Sequence, residues 1–415
     1  MTVSVDSKRY VEDFALFGGR PAFATPLVVG RPNVGSRERF IARVNEILDR
    51  HQLSNDGPMV KLFEQQIAEH LQVRYCVATA NATVGLQLVT QAASLKGEVI
   101  MPALTFVATA HAVSWVGLKP VFCDVDPTSG NIDLEHAKSL VTPATSAIIA
   151  VHLWGRPCEA ARLEQFAAES GLRLIFDAAH AFGCTHAGRK VGNFGDAEVF
   201  SFHATKVVNC FEGGAVVTND QALAASLRRL RNFGMDEHRA VLGIGTNAKM
   251  SEVSAAMGVT SLESFPLVLA RNAENFRAYR RHLSGAEKLR LIEPASTEQN
   301  NFSYVVVQLG PGAGVSRDLM LAVLRAENIA AQAYFSPGLH RLEPYGHVHS
   351  DLPVTDSLAA SVIALPTGPS TSLDDVAKVC GVLNMALRHG AEMTRLAGGK
   401  MKSATLDTAK LGHHQ

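Results

Sequence analysis

Between residues 75 and 218 the chain alternates short, almost continuous apolar runs with stretches whose apolar residues recur every three or four positions. The short runs, at 75–78, 98–101, 120–124, 146–151, 172–176, 197–201 and 214–218, predict strands, and the stretches between them predict helices. Most of the runs lack a polar face, as strands covered by helices on both sides do. This alternation predicts an α/β fold with a mostly parallel seven-stranded sheet, whose ligand site lies at the carboxyl ends of its strands.

On either side of this region the period changes. Phe40, Val44, Ile47 and Leu48 share one face of a helix starting near Ser36, and Phe63, Ile67 and Leu71 share a face of the next. Between them Leu53-Ser54-Asn55-Asp56-Gly57-Pro58 carries turn chemistry. Residues 1–35 hold no sustained period and predict an extended arm on the main body. Residues 221–272 look largely helical, with a connecting helix at 268–283. A strand at 304–309, a helix at 317–327, a strand at 329–333 and a helix at 374–387 predict a smaller α+β domain. The expected divisions are an arm at 1–35, a large domain at 36–270, a small domain at 271–388 and a mobile tail at 389–415.

Composition narrows the partners more than the fold. With 415 residues and 47% hydrophobic content the chain has material for a large core. Thirty-nine basic residues balance thirty-nine acidic ones, and no basic stripe or like-charge block points to nucleic acid. The opening residues have no apolar leader core, and no run of eighteen apolar residues points to a membrane. A cytoplasmic protein is expected. Cys76, Cys123, Cys158, Cys184, Cys210 and Cys380 lack paired metal-ligand spacing, so buried free thiols are expected and no metal is.

Four polar or aromatic features follow predicted strands in order. Ala82 and Thr83, in Asn81-Ala82-Thr83, open an apolar helix whose free amide donors suit a phosphate, although Thr83 is also a capping residue. Phe106 is either a core ring or a flat platform for a planar ligand. Asp177, ending a buried run, needs a positive partner, which a protonated pyridine, a metal or an arginine would supply. Lys206, in Ser201-Phe202-His203-Ala204-Thr205-Lys206, is either a solvated lysine or one that apolar surroundings make nucleophilic. Taken together, the four match the parts of pyridoxal phosphate.

The Ser201–Lys206 motif, with Asp177-Ala178-Ala179-His180 twenty-nine residues before the lysine and Phe106 one hundred before it, resembles the DegT/StrS-type sugar aminotransferases, which are fold type I pyridoxal phosphate enzymes. Residues 53–58, 121–126, 231–234, 246–252 and Leu365-Pro366 extend the resemblance, which covers about residues 36 to 385. It implies that Lys206 forms the internal aldimine and moves the substrate proton. Asp177 would pair with the pyridinium nitrogen, His180 would approach the phenolic oxygen and Phe106 would stack on the ring. Ala82, Thr83 and Ser201 would hold the phosphate. Asn247 would reach it from a second subunit, making a homodimer with shared sites.

The implied reaction moves an amino group from an amino acid, glutamate being expected, through the pyridoxamine form of the cofactor. The acceptor is the ketone of a nucleotide-linked keto-deoxysugar, with C4 of a dTDP-4-keto-6-deoxyhexose preferred over C3 sugars and cyclitols. A non-enzymatic regulator on the same fold is the rival from another class, and the presence of both Lys206 and Asp177 argues against it. Asn55, Lys249 and His340 are the expected substrate contacts. The family pattern has Gly-Thr in place of Ala82-Thr83, Arg in place of Lys249, and a Pro-Leu-His element one residue shorter than Pro337-Gly338-Leu339-His340.

Overall fold

The computed structural model describes residues 8–404 apart from residue 296 and residues 347–349. Seven strands form the central sheet: β1 Tyr75–Thr79, β2 Glu98–Pro102, β3 Lys119–Cys123, β4 Thr145–Val151, β5 Arg173–Asp177, β6 Ala197–Ser201 and β7 Gly214–Thr218. Each lies within a residue or so of its expected place. Their order is β1-β7-β6-β5-β4-β2-β3, and only β7 runs against its neighbours. Ile148, Ile149, Ile175 and Val216 are fully buried, which is why these runs carry no polar face.

Helices pack on both faces of the sheet. They include α1 Arg37–Arg50, α2 Pro58–Leu71, α3 Ala82–Ala92, α4 Ala108–Trp115, α5 Leu134–Ser139, α6 Ala160–Ser170 and α7 Gln221–Arg231. α1 starts beside Ser36, as the pattern predicts, and the Ser36 side chain caps it by accepting from Arg39 N–H, while Phe63, Ile67 and Leu71 of α2 are wholly buried. On α1 only Ile47 is buried, and Ile41 and Leu48 stand exposed.

The expected boundary near residue 270 falls inside a helix. α8 runs from Glu252 to Leu283 as one element of 32 residues. Its first half contributes Ala255, Val259 and Phe265 to the core beneath the sheet, and its second half contributes Phe276, Tyr279 and Leu283 to the core of the small domain. Residues 232–250, included in the expected helical segment, are instead irregular. There Gly234 and Gly245 pack so closely that a Cβ on Gly245 would fall 2.1 Å from Gly234 N.

The small domain holds a three-stranded antiparallel sheet of β8 Leu289–Leu291, β9 Val305–Leu309 and β10 Val362–Leu365. It also holds α9 Arg317–Ala326, α10 Pro353–Ala359 and α11 Leu373–Arg388. The strand expected at 329–333 shrinks to Ile329–Ala330, which pairs in parallel with Leu27–Val28 of the arm.

Both ends of the described chain pack on the small domain. Val11, Phe14, Ala22 and Phe23 of the arm belong to its core. Lys8 is buried there against Glu327 at 2.8 Å and also donates to the carbonyls of Asp13 and Arg20. The tail expected to be mobile from 389 begins as a helix, α12 Gly390–Ala404, which buries Met393 and Ala397 in the same core. Residues 405–415 lie outside the described residues.

Candidate active site

The carboxyl ends of β1, β2, β5 and β6 bring Thr83, Phe106, Asp177 and Lys206 to one edge of the sheet, with the small domain alongside. Lys206 follows β6 on a turn closed by its own N–H to the His203 carbonyl, 2.9 Å. Its Nζ donates to Tyr304 Oη at 3.1 Å and stands 5.7 Å from the centre of that ring. Burial brings the amine down to about 8, against the pull of the Asp177 carboxylate. Trp154, Val306, Tyr334 and Phe335 pack in one apolar cluster with Tyr304, the residue that meets the amine. Lys206 itself is only partly exposed, so it is not the solvated lysine of the other reading.

Asp177 ends β5 and is only 6% exposed. Its Oδ2 accepts from Thr109 Oγ1 at 2.8 Å and its Oδ1 from Ala179 N–H at 3.1 Å. Burial raises its carboxyl above the ordinary range, and the Thr109 and Ala179 donors, followed by Lys206, work against that rise.

His180 is buried beside it, within 4.5 Å of the Tyr304 ring and stacked on Phe335 at 5.8 Å. Its Nδ1 accepts from Trp154 N–H at 3.3 Å, which leaves the ring hydrogen on Nε2. Burial, and then the Lys206 charge, hold its pKa well below the ordinary value, so the ring stays neutral and Nε2–H remains a donor.

The phosphate candidates lie at the start of α3 and the end of β6. Asn81, not Thr83, caps α3, its side chain accepting from Val84 N–H at 2.9 Å. Thr83 therefore takes no part in the cap. A Cβ on Gly214 would fall 2.5 Å from Ala82 N, so that glycine lets β7 pass directly beneath the helix start. Ser201 ends β6 on the same side, half-buried, with a long 3.4 Å contact from His203 N–H. Phe106 is no core ring: it is 50% exposed, and the nearest aromatic ring is Phe335 at 5.9 Å.

Other expected contacts are not brought into this cluster within the single chain. Asn247 is exposed, on the segment whose Ala248 carbonyl accepts from Ala80 N–H. Lys249 donates to Asn232 and lies 4.7 Å over the Phe233 ring. Asn55 is exposed in a left-handed turn that Arg231 pins by gripping Asp56, Glu64 and the Ala78 carbonyl. His340 is buried against Asp356, 3.1 Å away, rather than displayed at the site.

Two residues with no role assigned from the sequence complete the cluster. Thr109 sits three positions after Phe106, one turn on, and that spacing was its only signal. Tyr304 arrives from just before β9, and only the fold reveals it. Together the donors and acceptors fit pyridoxal phosphate: a buried carboxylate for a pyridinium nitrogen, a neutral imidazole donor, an uncovered ring, a helix start for phosphate and an amine that loses its proton near neutral pH.

The DegT/DnrJ/EryC1/StrS aminotransferase family profile matches residues 35–384. The chain belongs to this family. Its members are pyridoxal phosphate-dependent aminotransferases, a cofactor that the donors and acceptors above fit. A dTDP-4-amino-4,6-dideoxy-D-glucose transaminase of Shigella dysenteriae is 38% identical over 84% of this chain and 96% of that protein. A GDP-perosamine synthase of Caulobacter vibrioides is 33% identical over 86% and 98%. Among solved structures, DesI in the presence of its TDP-sugar product superposes with a TM-score of 0.91 and 52% identity, covering 94% of this chain and 100% of that one.

Proposed function

We propose that this aminotransferase aminates C4 of a dTDP-linked 4-keto-6-deoxyhexose, drawing the amino group from an amino acid such as glutamate. The similarity to DesI, seen with a TDP-sugar, over 94% of the chain is the observation that carries the reading. The name of the Shigella relative supplies the carbon.

Bound pyridoxal phosphate supplies the electron sink and the temporary seat for the amino group. The protein does the rest. Asp177 would meet the ring nitrogen, and Thr109 and Ala179 N–H hold its carboxyl group in place for that contact. His180 Nε2–H would be free to donate to an oxygen on the ring, and the half-exposed Phe106 would cover one ring face. The α3 start, with Thr83 and Ser201, would receive the phosphate. Lys206 Nζ, close to its titration point at neutral pH, takes and returns the proton of the reacting carbon.

A homodimer completes this reading. Ile41, Leu48, Leu53, Phe233 and Ile244 are exposed apolar residues, Ile244 by 97%, and a second copy would cover them while delivering Asn247 to the partner's phosphate. Operation in the cytoplasm is part of the same proposal.

Incubation with glutamate and a panel of dTDP-, UDP- and GDP-linked 3-keto and 4-keto sugars, followed by product mass and NMR assignment of the aminated carbon, tests the reading. Amination only of a 3-keto sugar, or only of a GDP-linked one, would overturn it.

A further inference from the structure

We infer that Tyr304 is a positioning residue for Lys206, holding the side-chain amine in reach whenever it is not covalently engaged. The two residues come from opposite domains: Lys206 follows β6 of the large sheet, and Tyr304 precedes β9 of the small one. Their 3.1 Å contact is the one hydrogen bond that Lys206 Nζ makes among the described residues. Asp177 acts on the amine through its field rather than through such a bond.

The phenol is itself held on two sides. Its ring lies 4.5 Å from His180 and 6.4 Å from Tyr334, and burial keeps its hydroxyl protonated far beyond neutral pH. A neutral phenol can accept from an ammonium and donate to an amine, so it fits both states of a lysine that passes a proton. A lysine has four rotatable side-chain bonds and loses considerable freedom when fixed, so an unanchored amine would spend much of its time out of reach. Tyr304 removes that loss with one oxygen. Since it sits on the small domain, it also ties the readiness of Lys206 to the seating of that domain against the sheet.

The inference rests on Lys206 acting through pyridoxal phosphate and is independent of which sugar is aminated. Its test is the pH profile of cofactor capture by the full-length, cofactor-free protein, followed by absorbance. Capture joins Nζ to the cofactor aldehyde carbon with loss of one water and no redox change. The rate should rise with pH through the titration of Lys206.

An acceptor stabilises the ammonium more than the amine, so Tyr304→Phe should move the midpoint down by about one pH unit and slow the plateau about ten-fold. Tyr304→Gln restores an oxygen and should bring the midpoint back toward wild type, which keeps the test standing if the Phe variant folds poorly. A Tyr304→Phe profile identical to wild type, or a Gln variant shifted as far as Phe, would overturn the role of Tyr304 alone. A wild-type protein that captured no cofactor would overturn the reading of Lys206 and this inference with it.

Discussion

Thr109 donates its hydroxyl to Asp177 Oδ2 at 2.8 Å, joining the first turn of α4 to the end of β5. Thr105 lies 3.2 Å beyond it, so two buried hydroxyls stand behind the carboxylate. Phe106 sits between them in sequence and turns outward. One short segment therefore braces the carboxylate that we propose meets the ring nitrogen and presents the side chain that we propose as a platform for the ring.

Removing that brace should be felt by the cofactor. Thr109→Val leaves a buried carboxylate short of one donor, at a cost of about 1.5–3 kcal/mol for a bond to a charged group. Asp177 should titrate higher and pyridoxal phosphate should bind ten-fold or more weakly, measured by absorbance titration of the cofactor-free protein. Thr109→Ser should recover most of the loss.

Lys206 strains the cofactor-free protein. Its amine is depressed from 10.5 to about 8, so below pH 8 it is protonated both folded and unfolded, and its desolvation is fully felt. As pH rises from 8 toward 10.5 only the unfolded chain keeps the proton, and the penalty fades. Lys206→Met should therefore be more stable than wild type at pH 7 by up to roughly 3 kcal/mol, with the difference shrinking above pH 8. Urea unfolding of the cofactor-free proteins at several pH values checks it.

Gly214→Ala places a methyl group 2.5 Å from Ala82 N. Either β7 or the start of α3 must shift, and overpacking of this kind costs about 1–3 kcal/mol. The sheet should survive, but affinity for pyridoxal phosphate should fall about ten-fold or more, because the displaced amides are those that would meet its phosphate. Unaltered affinity would remove the α3 start from the site.

Lys8→Met strips the buried Glu327 of its cation, leaving it with Ala15 and Ala22 N–H as donors. Breaking a buried pair from one side costs about 3–5 kcal/mol. Urea unfolding should show that loss, and limited proteolysis should cut within the arm first.

Much of this was written in the local pattern. The seven strands stood out because each is a short apolar run buried on both faces, and Lys206, Asp177 and Phe106 stood out because each follows such a run. Tyr304 did not, since a tyrosine opening a strand has no local mark of facing a lysine ninety-eight positions earlier. Thr109 was hidden for the same reason. The seat of the arm was equally silent, because Lys8 looks like any polar leader residue until Glu327 is folded against it. His340, buried on Asp356, shows the converse: a motif can be present while the chain turns its side chain elsewhere.

The unbroken course of α8 through both cores bears on recombination. A chimera joined near residue 270 would cut a continuous helix and mate halves whose Phe265 and Phe276 were selected for different neighbours. Grafting a small domain from a relative should succeed only when α8 travels whole, together with the arm that docks on its far end.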